Sequence, residues 1–246
     1  MQGDRNVIER FWESLKKDKA TQIATGISAA LLVAVLLLVV ILATGLKGVK
    51  KGGHEKAAAV LSAKNQIGQA AKYYNKGNFK KAIEGFREAV SQEPSNAEVY
   101  FMLGNAYQGT GAWKEAASSY EKAADLDERM VKAKYQLGLA YKKLGDNKSA
   151  AEYLEECVRQ APDLGGARLA LAKIYTDDNK LDKAIEQYTT LLDMNLYGMN
   201  LASIHNDLGL VYVKKGNLEQ ARSEWQKALM VQPENTQARE LLAEYR

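Results

Sequence analysis

The sequence predicts an all-α protein: a solenoid of five helix-turn-helix units, closed by a C-terminal capping helix and preceded by a single transmembrane helix. Three observations carry this. Tyrosine stands at Tyr73, Tyr107, Tyr141 and Tyr175, each 34 residues after the last, and again at Tyr212, 37 further on. Alanine keeps the same beat at Ala82, Ala116, Ala150, Ala184 and Ala221. Thr21 to Leu46 holds no charged residue. A fixed period of this size marks stacked helical hairpins, each burying its apolar face against its neighbours.

In chain order, residues 1–20 form a short amphipathic segment. Ile8, Phe11, Trp12 and Leu15 share one helix face, and Asn6 with Glu9 resembles a capping box. This segment is expected to lie at a membrane interface, with a docking helix for a partner as the alternative. Residues 21–46 exceed a ~30 Å hydrocarbon core at ~1.5 Å per helical residue, so the stretch can span a bilayer. A cleaved signal peptide competes with this reading, with Ala43-Thr44-Gly45 as the cleavage site. The apolar region of such a peptide would usually be ~7–15 residues.

Five basic residues precede the span and four closely follow it. That near balance sets orientation weakly. The expectation is a single-pass protein of a bacterial inner or plasma membrane, its N-terminus cytoplasmic and its repeats outside; repeats inside the cytoplasm are the alternative. Residues 47–62 form a basic, glycine-bearing linker that runs into an alanine-rich backward extension of the first helix. This extension either shields the open end of the array or serves self-association.

The repeats occupy 63–235 as units 63–96, 97–130, 131–164, 165–198 and 202–235, with Met199 to Leu201 inserted before the last. Four residues after each tyrosine stand Gly77, Gly111, Gly145, Asn179 and Gly216. These types tolerate the positive φ that a tight turn between antiparallel helices requires. The alanine marks a close crossing of two helices. Four residues later comes a large apolar residue (Phe86, Tyr120, Leu154, Tyr188, Trp225), then Ala89, Ala123, Cys157, Leu191 or Ala228 on the same face. Pro94, Pro162 and Pro233 close the second helix; Glu128 and Leu196 replace proline in the other two units. The connector bearing Leu196, Tyr197, Met199 and Leu201 is expected to tuck against helix ends, or else to form an exposed edge. In the tail, 236–246, Leu241, Leu242 and Tyr245 share a face that would cap the apolar end of the array.

The pattern Leu103-Gly104, Tyr107, Gly111, Ala116, Tyr120, Ala123 resembles the tetratricopeptide repeat nearly throughout its length. Leu137-Gly138 and Leu208-Gly209 repeat the opening pair, while Gln69-Ala70 and Leu171-Ala172 depart from it. The resemblance spans 63–246 and implies a right-handed superhelix whose first helices line an inner groove. Mapped onto this chain, the groove candidates are Ile67, Tyr74, Phe101, Asn105, Tyr135, Leu139, Lys142, Leu169, Lys173, Leu210 and Val213. Relatives that grip acidic chaperone tails fill the fifth and ninth positions of three successive repeats with a lysine, arginine and asparagine set. Only Asn105 matches that set, so no such clamp is expected. Asn206 is another fifth-position residue, and the groove reads as apolar and aromatic. It suits an amphipathic helix or an apolar segment of a polypeptide partner. Within it, charge at Lys142 is expected to matter less than the Phe101 and Tyr135 rings.

Other chemistry is sparse. The chain has two histidines, His54 and His205, and one cysteine, with no spacing that resembles a metal or catalytic set. His205 sits where the family often places an aromatic, and Cys157 at a buried small-residue position, which predicts an inert thiol. No cofactor-binding motif stands out. The net charge is +4, but residues 63–246 balance 25 basic against 25 acidic side chains, which argues against a nucleic-acid partner. The resulting expectation is a non-enzymatic, membrane-tethered scaffold that docks polypeptides for assembly or quality control of membrane-associated or exported complexes. A homo-oligomeric structural scaffold is the alternative.

Overall fold

The computed structural model describes residues 61–194 and 198–245, and among these it shows eleven α-helices and no strand. They are α1 (61–75), α2 (Phe79–Gln92), α3 (Ala97–Gly109), α4 (Trp113–Leu126), α5 (Val131–Leu144), α6 (Asn147–Gln160), α7 (Gly165–Asp177), α8 (Leu181–Met194), α9 (Leu201–Lys214), α10 (Leu218–Val231) and α11 (Thr236–Glu244). Each helix packs chiefly on the one next to it in the chain. The pair α5 and α7, first helices of successive hairpins, also touch.

Local chemistry sets the ends of these helices. Asn78, Asn96, Asp146, Asn200, Asn217 and Asn235 are N-caps whose side chains accept from a backbone N–H three residues on. The turn inside each hairpin passes through the left-handed region, at Gly145 with φ 82° and, in the one hairpin without glycine there, at Asn179 with φ 57°. The αL requirement read from the sequence is met at all five turns.

The core follows the periodic residues. Ala82, Ala116, Ala150, Ala184 and Ala221 are fully buried, as are Ala89, Ala123, Cys157, Leu191 and Ala228. Phe86, Tyr120, Leu154, Tyr188 and Trp225 lie at the crossing between the two helices of their hairpins with at most 2 % of their surface exposed. A Cβ on Gly104 would stand 2.6 Å from the Tyr120 ring, on Gly138 2.8 Å from Leu154, and on Gly209 2.2 Å from Trp225 Nε1. The glycine of the Leu-Gly pair is thus the room into which the large side chain packs.

The beat tyrosines face the preceding hairpin. Tyr175 is buried and its hydroxyl donates to Glu155 of α6, while Tyr107, Tyr141 and Tyr212 are half-buried. Tyr73, in the first described helix, is 38 % exposed. At the other end α11 covers α10 with Ala238 and Leu241, and the Tyr245 ring lies 5.5 Å from that of Trp225. In the connector before α9, Met199 and Leu201 pack against the core around Leu191 and Ile204. Leu196 and Tyr197 lie outside the described residues.

One expectation is corrected. No helix among the described residues is long and apolar enough to cross a membrane, so the placement as a single-pass membrane protein, with its transmembrane helix, does not stand. The longest described helical stretch covers 15 residues, about 22 Å at ~1.5 Å each against a ~30 Å core. The segments read as amphipathic (1–20), as membrane-spanning (Thr21–Leu46) and as linker up to residue 60 lie outside the described residues.

The fit of Trp225 against Gly209 yields a direct test. Gly209→Ala should overpack the crossing and lower stability by ~1–3 kcal/mol. The check is the midpoint of urea unfolding followed by far-ultraviolet circular dichroism; an unchanged midpoint would show that the crossing has slack.

Candidate functional site

The candidate groove residues stand on the first helices of the five hairpins: Ile67 and Tyr74 on α1, Phe101 and Asn105 on α3, Tyr135, Leu139 and Lys142 on α5, Leu169 and Lys173 on α7, Leu210 and Val213 on α9. Ten of the eleven are half-buried, and Lys173 is exposed. None is fully enclosed in the core, so each keeps surface that a partner can touch.

Contacts run across this strip from helix to helix. Lys132 of α5 places its ammonium 4.7 Å from the centre of the Phe101 ring on α3 and pairs with Glu98, one period earlier, at 2.8 Å. The Tyr135 hydroxyl end lies over α7 at Gly166, where a Cβ would come within 2.8 Å of it. Leu139 and Leu169 pack on a common core. Lys173 of α7 reaches Asp207 of α9 at 3.4 Å. At the first end Tyr74 meets Phe79 edge-on at 5.4 Å, and Ile67 packs beside it. At the last, Leu210 and Val213 rest on the Trp225 cluster. The candidates therefore form a strip rather than one compact pocket.

Second helices support the strip from behind. The Tyr120 hydroxyl stands 2.8 Å from Asn105 Oδ1 and 2.6 Å from Gln108 Oε1, and its ring lies 5.7 Å from that of Phe101. One phenolic proton serves only one acceptor. Turning either amide round lets its NH2 donate to the phenol oxygen, so both side chains can be held. Burial pushes the Tyr120 phenol well above the ordinary tyrosine range, with Tyr74 adding to it, so it remains a neutral donor.

Electrostatics single out Lys142. Burial holds its ammonium below the ordinary lysine range; Asp177 opposes this, while Lys173 and Lys143 reinforce it. It has no ion-pair partner among the described residues. Lys134, nearly buried on the same helix, is matched by Glu156.

Two sequence expectations change in detail. Asn206, a fifth-position residue, is not on the open strip: it is fully buried and its amide donates to Asn235 and Gln237 at the start of the cap. His205, in a slot where an aromatic is common, holds a polar cluster instead. Its Nδ1 lies 2.7 Å from Glu224, which also accepts from Lys227 at 2.7 Å. Burial alone would raise the Glu224 carboxyl, but the bonds from His205 and Lys227 outweigh it and hold the group below the usual carboxylate range. Lys132, Gly166, Tyr120 and Asp207 shape the strip and were not among the candidates. The pair Glu98 and Lys132, opposite charges one 34-residue period apart, was the available signal. Among the described residues no group of three or more His, Cys, Asp or Glu side chains is placed to hold a metal ion.

Comparison with known proteins agrees with this architecture. Family models described as TPR repeat or tetratricopeptide repeat match residues 70–111, 97–129, 131–164 and 202–235, together more than half of the chain. No curated protein sequence matches it. Among solved structures it is similar to YrrB, described as a TPR protein with an unusual peptide-binding site: 25% identity over 71% of this chain and 89% of that one, TM-score 0.63. It is also similar to MamA, with 25% identity over 75% and 96% and TM-score 0.66. MamA of Desulfovibrio magneticus RS-1, at 23% identity over 71% and 97% with TM-score 0.65, shares the fold.

Cys157 offers a test of the packing behind the strip. Its thiol is fully buried, donates to the Val131 carbonyl at 3.7 Å, and is pushed from 9.0 up to about 11 by burial, with Glu156 adding and Lys134 opposing. A folded-state value above the unfolded one favours the protonated thiol in the fold. The associated stability should be fully present below pH ~9 and be lost as pH rises towards ~11. An aromatic disulfide reagent at pH 8 should label Cys157 only after denaturation; rapid labelling of the native chain would overturn the assignment.

Proposed function

We propose that this tetratricopeptide-repeat protein is a scaffold that docks a polypeptide along the strip formed by its first helices, and that it does so in the assembly or quality control of multiprotein complexes. The observation that carries this reading is the unspent apolar surface of Phe101, Tyr135, Leu139, Leu169, Leu210 and Val213, each half-buried and each on the first helix of its hairpin. A row of side chains held rigid from behind but open in front presents contact area at little entropic cost. The peptide-binding site named for YrrB, a protein of similar fold, supports the same use of the array.

An amphipathic helix or an extended apolar segment suits such a strip, since its apolar residues recur at intervals that meet successive first helices. Phe101 and Tyr135 are the anchors, because aromatic side chains in a supported pocket carry most of the affinity in comparable interfaces. Scaffolding of this kind needs no reaction centre.

The test is to select short displayed peptides on the full chain, then titrate the selected peptides into wild-type, Phe101→Ala and Tyr135→Ala proteins. Each variant should weaken binding by ~10-fold or more, equivalent to at least ~1.4 kcal/mol. Circular dichroism must show helix content retained. Unchanged affinity in both folded variants would sink the assignment of the groove.

A further inference from the structure

We infer that the polypeptide docked in this groove carries an acidic side chain flanked by apolar ones, its carboxylate seated at Lys142 and Lys173 and the apolar neighbours over Leu139 and Leu169. The inference rests on the groove reading above and gives it a ligand chemistry and a location.

The geometry comes from two helices side by side. On α5, Tyr135, Leu139 and Lys142 follow one another at intervals of four and three, so they share a face; on α7, Leu169, Lys173 and Thr176 do the same. These helices are in direct contact. Tyr135 spans from one to the other at Gly166. Leu139 is the middle residue of its face and Leu169 the first of its own, each followed by a lysine, so from Tyr135 the surface runs from aromatic through aliphatic to cationic over about two helical turns.

The cationic end is left incomplete by the chain itself. Elsewhere on α5, Lys132 is matched by Glu98 at 2.8 Å and Lys134 by Glu156, while Lys143 lies over the Trp113 ring at 5.9 Å. Lys142 is half-buried and has no ion-pair partner among the described residues. The charged groups that act on it are Asp177 of α7, which offsets part of its cost, and Lys173 and Lys143, which add to it. Lys173 is itself ion-paired with Asp207 of α9 at 3.4 Å, so Lys142 is the member of the two that the chain leaves unmatched among the described residues. A partly desolvated cation beside a second cation is relieved by an anion from outside, and burial under a ligand strengthens that attraction. The two lysines hold the twelfth position of one repeat and the ninth of the next, so they do not reproduce the chaperone-tail clamp, of which this chain matches only Asn105. They also stand in the third and fourth of five hairpins. The surface continues on both sides, which suits an acidic side chain within a chain that runs through, rather than a chain end.

The experiment is a selection of random displayed peptides on the full-length chain, repeated on Lys142→Met and on Lys173→Met, followed by titration of selected peptides and their Glu→Gln or Asp→Asn twins. Methionine keeps the aliphatic bulk of each lysine, and Lys173 is exposed, so at least that variant tests charge without disturbing the core. Expected is enrichment of a single acidic residue between apolar ones, a ~5- to 10-fold loss of affinity in the neutral twin, and near-equal affinities for the two twins in Lys142→Met. Peptides that bind with no acidic preference, or an acidic preference unchanged in both variants, would overturn the inference while leaving the groove reading intact. Failure to retain any peptide would overturn both.

Discussion

The close crossing of the two helices within each hairpin is the constraint on which this structure depends. Where one helix carries Gly104, Gly138 or Gly209, the other lays Tyr120, Leu154 or Trp225 into the space that a Cβ would occupy. A fully buried alanine one turn before the large side chain keeps the axes close on the second helix. Removing bulk from one partner and adding it to the other fills the interface at crystal-like density. It also fixes how far each hairpin projects, and therefore the spacing at which first helices stand along the strip. The groove is a by-product of that spacing: side chains not needed at the crossing are left half-buried on the far side of the first helix.

This division of labour explains why the strip is both rigid and available. Tyr120 lies against Phe101 from behind, and its hydroxyl engages Asn105 and Gln108, so the front of α3 is positioned by a residue that no partner needs to touch. The last hairpin shows the opposite arrangement. There Asn206 turns inward to meet Asn235 and Gln237, and the strip is closed off by the cap. Polar side chains at equivalent positions thus serve the surface in one repeat and the interior in another. What differs is the neighbour that follows: another first helix beside α3, the short α11 beside α9.

Much of the fold was legible because a solenoid writes its contacts into its period. Tyrosine and alanine at fixed spacing, the left-handed turn at glycine or Asn179, and the large-then-small pair of the second helix each report a local geometry that repeats. Contacts between neighbouring repeats were harder to see. Nothing within one repeat says that Lys132 will sit over Phe101, that Gly166 makes way for Tyr135, or that Lys142 will lack a partner. These depend on pairs about 34 residues apart, and only a charge pair such as Glu98 with Lys132 leaves a trace on its own. The His205 slot was misleading for the same reason: Glu224, from the facing helix, turned an aromatic position into a polar one. The membrane reading came from composition in a stretch outside the described residues, and the described helices, short and tied to their neighbours, do not support it.

The packing of each helix chiefly on the next in the chain has a mechanical side. Loads applied at the two ends of such an array are carried in series, because few contacts bridge over a hairpin to share them. Each joint then bears the whole force, and the softest one yields first. The segment that holds Tyr135, Leu139, Lys142, Leu169 and Lys173 straddles one such joint, where α7 packs on both α5 and α6. A bound chain there would bridge that joint and share the load that it otherwise carries alone.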